Sequence, residues 1–292
     1  MTDFLINGIE PPLRDLRMTM DAPFYALEKK RSQPIEYLGR NGYVSIVPTA
    51  DSHIASIWDC DIMIGLYSFL NDGKNRGAQL NNRVTFQPAP LLRCIGRGNS
   101  SRDYQRLAQG IRRLRTTTIT TNFMLTKKFG VEIPFSWLQS YEIPKHVLRP
   151  DSTIVQRGMP WVVELPDWVC SIFETQRDIL RVHPDYFTLK SAIARALYRT
   201  ARKSVNPQRK RWTYRADTLH KRYALRSPLS RFLRKVCEIA DQDHLPEYTI
   251  DVLSDGLQSS ITFRERPHVK LSPIRGVYHH NREPRIIGGG KL

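Results

Sequence analysis

The sequence predicts an α+β fold in which one unit of strand, helix, turn, helix and hairpin occurs twice. Three observations carry that expectation. An arginine-lined amphipathic helix within "NSSRDYQRLAQGIRRLR" (99–115) runs directly into the threonine-rich stretch "TTTITTN". Its apolar pattern returns 125 residues later, after a matching strand and short helix. The positive charge of the chain is confined to two blocks, one in each unit.

A chain of 292 residues can form two domains that each bury a core. With 45 Lys+Arg against 28 Asp+Glu, the net charge is +17, so a polyanionic partner is expected. Residues 195–235 hold a local excess of +13, with Asp217 as the single acid, and residues 97–128 hold +7 around Asp103. These two blocks together exceed the whole net charge, so the basicity is not a general solubilising coat. Cys60, Cys94, Cys170 and Cys237 are scattered, without metal-ligand spacing, and indicate neither a disulfide framework nor a metal site. Asp3 and Pro11-Pro12 spoil a signal peptide, and the apolar stretch Ile57–Leu70 contains Asp59 and Asp61, too charged to span a bilayer. A cytoplasmic protein without membrane contact or cofactor is expected.

Along the chain, residues 1–33 read as an N-terminal arm, 34–160 as a first domain, 161–266 as a second and 267–292 as a flexible basic tail. Ile35–Leu38 and Tyr43–Val47 flank Asn41-Gly42 and predict a hairpin. Ile57–Leu70 predicts a core helix with Asp61 and Ser68 turned away from the packed side. "VTF" (84–86) predicts a strand, and "QPAPLLRCI" a short helix with proline in its first turn. In the helix that follows, Tyr104, Leu107, Ala108, Ile111 and Leu114 gather on one side, and Arg102, Gln105, Arg106, Gln109 and Arg113 on the other. Thr116–Thr121 suits a strand because its side chains are β-branched. A turn at "TKKFG" and a second strand near Phe135–Glu142 complete a hairpin with Lys127 and Lys128 at its tip. That order of elements is the order of a winged helix.

The second copy appears when the sequence is slid along itself. At an offset of 128, Val84, Thr85, Phe86, Leu91 and Arg93 meet Trp212, Thr213, Tyr214, Leu219 and Lys221. At an offset of 125, the apolar stripe meets Leu229, Phe232, Leu233, Val236 and Ile239. Ser227 suits the N-cap of this second helix and Pro228 its first turn. "YTIDVLSDGLQSSITF" (248–263) supplies a second hairpin. Between the units, "LPDWVCSIF" and "YFTLKSAIARALYRTARK" predict helices, the longer one exposing Arg195, Arg199, Arg202 and Lys203. The fold class expected is therefore α+β, with two tandem winged-helix domains.

A helix fits the major groove of B-DNA, where arginine reads guanine and glutamine reads adenine through paired hydrogen bonds. The candidate DNA-binding residues are Arg102, Gln105, Arg106, Gln109, Arg113, Lys127 and Lys128 in the first unit. In the second they are Arg199, Lys203, Arg209, Lys210, Arg211, Lys221, Arg222, Ser230, Arg231, Arg234 and Lys235. His220 is expected to face phosphate or solvent. No catalytic constellation stands out: "VYHHN" (277–281) has adjacent histidines rather than a His-x-His pair, "LHKRY" has the wrong spacing for a tyrosine recombinase, and no P-loop motif occurs.

"DAPFYAL" (21–27), "SIWDCDIMIG" (56–65), "RDYQRLAQGIRRLRTTTITTN" (102–122), "DYFTLKSAIARALYRTARK" (185–203) and "SPLSRFLRKVCEIADQDHLPEYTI" (227–250) resemble the bacterial plasmid replication initiator protein A family. The resemblance runs from about residue 20 to 265. It implies a non-enzymatic initiator that binds repeated double-stranded sites, or iterons, at a plasmid origin and helps open the duplex. It also implies contacts with the host initiator and the replicative helicase, and a homodimer when the protein represses its own gene. By this analogy the helix at 228–240 is the main recognition helix, facing DNA with Ser230, Arg231, Arg234 and Lys235. Two other readings stand beside it: a DNA-binding transcriptional regulator of the same fold, and a DNA-nicking enzyme dependent on Tyr278.

Overall fold

The computed structural model describes residues 4–6, 11–39, 42–49, 52–122, 133–144 and 159–266. The first part of the chain contains β1 (Phe4–Ile6), β2 (Arg14–Leu16), β3 (Ile35–Gly39), β4 (Gly42–Pro48), α1 (Cys60–Asn75), β5 (Arg83–Phe86), α2 (Pro88–Cys94), α3 (Ser101–Thr116), β6 (Thr117–Thr121), β7 (Ile133–Phe135), β8 (Ser140–Glu142) and β9 (Trp161–Glu164). The rest contains α4 (Asp167–Thr175), β10 (Ile179–Arg181), α5 (Ala192–Ser204), β11 (Arg211–Arg215), α6 (Ala216–Arg222), α7 (Leu229–Gln242), β12 (Tyr248–Leu253) and β13 (Ser260–Glu265). The described residues mix helices and strands, with sheets in the orders β1-β5-β9-β8, β3-β4-β6-β7, β10-β2 and β11-β13-β12.

Helix α1 lies at the centre because it is apolar on nearly every side, and such a helix gains most when surrounded. It touches β2, α2, α3 and α4. The polar side expected for Asp61 and Ser68 does not exist: both are buried. Asp61 is ion-paired, while Ser68 donates to the Ile64 carbonyl and accepts from the Arg14 amide at 2.8 Å. Helix α2 approaches closely at Gly65, where a Cβ would sit 2.5 Å from Leu91 Cδ1 and 2.9 Å from Ile95 Cγ2. Leu91 is fully buried and has nowhere to turn. Gly65→Val should therefore cost about 1–3 kcal/mol of stability, measurable by urea unfolding.

Residues 13–31, expected as part of an arm, are instead built into the core. Strand β2 pairs antiparallel with β10, and Leu13, Leu16, Met20, Phe24 and Tyr25 are buried. Tyr25 stacks on Trp137 at 4.7 Å and Phe24 meets the same ring edge-on at 6.0 Å. Sequence periodicity misses this segment because its turns are short and its partners are distant. The domain boundary expected at 160/161 also falls within packed structure. Strand β9 pairs with β5 and β8, Trp161 packs on Phe86 and Tyr104, and Phe173 of α4 packs on Tyr67.

The hairpin after α3 also departs from expectation. The predicted second strand near Phe135–Glu142 is two strands: β7 pairs with β6, whereas β8 turns away to pair with β9. The other side of β6 is taken by β4. In the later unit the sheet is self-contained, since β11 and β12 both flank β13. The short helices α2 and α6 each span seven residues and stand at the offset of 128 read from the sequence. Helix α7 begins one residue later than expected, with Pro228 rather than Ser227 at its N-cap position.

Candidate nucleic-acid interface

Helix α7 buries Phe232, Val236 and Ile239 against the sheet of its unit, which leaves the opposite face to solvent. Ser230, Arg231 and Arg234 are exposed there. Lys235 is half-exposed and paired with Glu238 at 2.7 Å. The turn into α7 is fastened by His220, whose Nε2 contacts the Ser227 carbonyl at 2.6 Å and whose ring lies 5.7 Å from that of Phe232. His220 therefore has a packing role, not the solvent-facing one expected.

Helix α3 repeats the arrangement. Tyr104, Leu107, Ile111 and Leu114 are buried, while Arg102, Arg106 and Gln109 are exposed and Gln105 is half-buried. Its start is fixed by a capping box: the Ser100 hydroxyl accepts from the Asp103 amide, and the Asp103 carboxylate accepts from the Ser100 amide at 3.1 Å. Partial burial raises the Asp103 pKa, but the Ser100 hydrogen bonds and Arg106 outweigh it and hold the carboxyl below its ordinary range. A depressed carboxyl stabilises the fold above its unfolded pKa and loses that effect as pH falls through the folded one. Ser100→Ala should cost about 1 kcal/mol at neutral pH, and less on acidification, by thermal unfolding across pH.

Several predicted residues do not lie free on these faces, and Arg106, though exposed, pairs with Asp103 at 3.8 Å. Arg113 reaches back from α3 and grips Asp59 with Nε at 2.9 Å and Nη2 at 2.7 Å. Arg199 is buried: it meets Asp15 at 3.1 Å, donates to the Thr19 carbonyl and hydroxyl, and contacts the Cys60 thiol. Lys203 is paired with Asp21, and Arg222 lies half-buried on the Tyr214 ring at 4.8 Å. Lys235 has the Glu238 partner already described. Arg195, also expected on the surface, is buried with Asp61 and donates to the Leu189 and Phe187 carbonyls. Arg202 is half-buried, donating to the Arg181 carbonyl at 2.6 Å and facing Glu247 at 3.8 Å. All four cations expected on the outside of α5 are thus engaged; wheel geometry turns them outward because the acids that bind them stand far away in sequence. Burial pushes the Asp15 and Asp61 carboxyls up against the pull of Arg199 and Arg195, and it pushes the Cys60 thiol well above its usual range.

Arg209, Lys210, Arg211 and Lys221 are exposed. Asn206 caps the turn before β11 by accepting from the Gln208 and Arg209 amides, and Arg209 lies over the half-exposed Trp212 at 4.3 Å. Sequence reasoning missed Arg112 and Arg115, both exposed on the flank of α3, and gave Trp212 no part in binding. Their signal was the position of each on the helix wheel and the run of cations around Trp212. Lys127, Lys128 and the "VYHHN" stretch lie outside the described residues. Among the described residues no helix is long and apolar enough to cross a membrane.

The described surface thus carries two helices, α3 and α7, each with a cationic or amide row opposite a buried apolar stripe. Comparison with known proteins gives this arrangement a context. A curated protein of Wigglesworthia glossinidia brevipalpis, described as "Putative replication protein", is 28% identical over 234 residues, covering 80% of this chain and 82% of its own. Two crystal structures of domains 2 and 3 of RctB share the fold. One, of selenomethionine derivatives, has a TM-score of 0.62 at 11% identity and covers 86% of this chain and 99% of that one. The other has a TM-score of 0.56 at 13% identity, covering 86% and 97%. The family model described as Replication initiator protein A matches residues 14–250, most of the described structure, and the chain belongs to that family.

Proposed function

We propose that this chain is a non-enzymatic plasmid replication initiator whose two units are tandem winged helices, reading repeated double-stranded sites at the origin. The observation that supports it best is the pair of helices α3 and α7, each exposing hydrogen-bonding cations over a buried apolar stripe within a replication-initiator chain. In B-DNA two such helices can address successive major-groove faces about ten base pairs apart. Exposed Arg231, Arg234, Arg102, Arg106 and Gln109 have the chemistry to read base edges, and Lys210, Arg211 and Lys221 to hold phosphates. Origin opening, contacts with the host initiator and replicative helicase, and a repressing homodimer complete the reading.

Selection of duplexes from a random pool by the purified chain, at one fixed salt concentration, tests it. A two-part enriched motif is expected, with direct repeats of it near the gene. Contacts with roughly eight phosphates should give a log–log salt slope of about −7. A slope of about −2, or binding without an enriched sequence, overturns two-unit reading. Supercoiled DNA should remain un-nicked in the presence of divalent metal; nicking that disappears in Tyr278→Phe would replace the initiator with an enzyme.

A further inference from the structure

The segment joining Ala26 to Pro34 was absorbed by neither reading helix, yet it is tied at both ends to their surroundings. At its start, the Ala26 amide donates to the Ala55 carbonyl at 3.0 Å and the Ile57 amide to the Ala26 carbonyl at 2.9 Å. This places it beside Trp58 and Asp59. Asp59 is the residue that α3 grips through Arg113, and the Trp58 carbonyl accepts from Arg97, just ahead of α3. At its far end the buried Arg31 donates from Nη1 to the Ala224 carbonyl at 2.7 Å, and Arg226 contacts Gln33. Ala224–Arg226 is the turn that leads through Ser227 into the exposed face of α7. The segment is a strap running from the flank of one candidate reading helix to the foot of the other.

Lys29 and Lys30 stand in the middle of the strap and both are exposed. Their placement is enforced. Lys29 Nζ lies 5.5 Å from the Trp58 ring centre, and the same ring takes the Arg195 guanidinium at 4.0 Å. Lys30 has a φ of 59°, a left-handed backbone that a lysine adopts at a cost. Arg31 holds it there by donating also to the Gln33 and Pro34 carbonyls at 3.2 Å each, while the Arg31 carbonyl accepts from the Ile54 amide at 2.8 Å. Two exposed lysines thus stand on a segment whose backbone is fixed by the buried Arg31.

We infer that Lys29 and Lys30 hold backbone phosphates of the duplex between the two stretches addressed by α3 and α7. The inference rests on the proposed function, and it adds a third contact carrying no sequence information, which fixes the two helices on one continuous duplex. The occupant is double-stranded DNA because the strap is cationic and joins the surroundings of α3 and α7, the helices that the proposed function sets on one duplex.

The test measures binding of the wild-type chain and a Lys29→Ala/Lys30→Ala variant to the selected two-part duplex over a salt series. Loss of two phosphate contacts should make the log–log slope shallower by about 1.8, with the selected sequence unchanged. Lys29→Arg/Lys30→Arg should keep the wild-type slope, and thermal unfolding of each variant checks that the fold persists. Unchanged slope and affinity in the alanine variant, while Arg231→Ala still loses discrimination, overturns the strap contact and leaves the initiator reading intact. A wild-type chain that selects no sequence overturns that reading, and the strap contact with it.

Discussion

Asp15→Ala will lower the unfolding free energy by about 3–5 kcal/mol. Asp15 and Arg199 are each at least nine-tenths buried and face each other at 3.1 Å. Removing the carboxylate leaves a guanidinium in an apolar interior with Thr19 and Cys60 as partners, neither of which carries its counter-charge. Asp61→Ala should act alike, because it strips Arg195 of its acid and Arg97 of a 3.2 Å contact. Urea unfolding of both variants gives the measurement. The control is Asp15→Leu/Arg199→Met, which removes both charges and should recover most of the loss. If that double variant is as unstable as Asp15→Ala, the cost lies in packing, and the ion pair is not its source.

Arg231→Ala and Arg234→Ala will each relax sequence discrimination by about 1–3 kcal/mol if they reach base edges. Both are exposed on α7, and neither has an acidic partner among the described ion pairs. Lys210→Ala, on the exposed run beside β11, should weaken binding to all duplexes alike and make the salt slope shallower by about 0.9. Competition binding between the selected site and a scrambled duplex separates the two kinds of residue. Should Arg231→Ala retain its preferred sequence, α7 does not carry the reading face. Arg113→Ala tests the opposite claim for α3: its partner is Asp59, so the expected loss is in stability more than in discrimination.

Helices α2, α3 and α7 were legible in the sequence because each carries a local signal: Pro88 in a first turn, a clean apolar stripe from Tyr104 to Leu114, and Pro228 at the entry of the later helix. The threonine strand β6 was legible for a similar reason, as β-branched side chains crowd a helix and suit a pleat. The exposed rows on α3 and α7 followed from the same wheels. What could not be read was long-range. Arg195 and Arg199 look like surface residues until Asp61 and Asp15 are brought to them, and no spacing rule connects those positions. Sheet membership was hidden likewise: the chain between β7 and β8 is short, yet the two strands enter different sheets because β6 and β9 are where open edges remain. Residues 13–31 carry no periodicity, and their burial depends on Trp137 and β10.

The β2–β10 ladder has a consequence for how the protein is made. Residues 14–16 leave the ribosome well before their hydrogen-bonding partners, residues 179–181. At synthesis rates of about 5–20 residues per second, the first unit must wait on the order of 10–30 s with one strand edge and the apolar side chains around it uncovered. The nascent chain therefore cannot finish its first half before it has begun the second. Initiator molecules become complete only as whole chains, so a truncated product released midway would hold an open core in place of a working half.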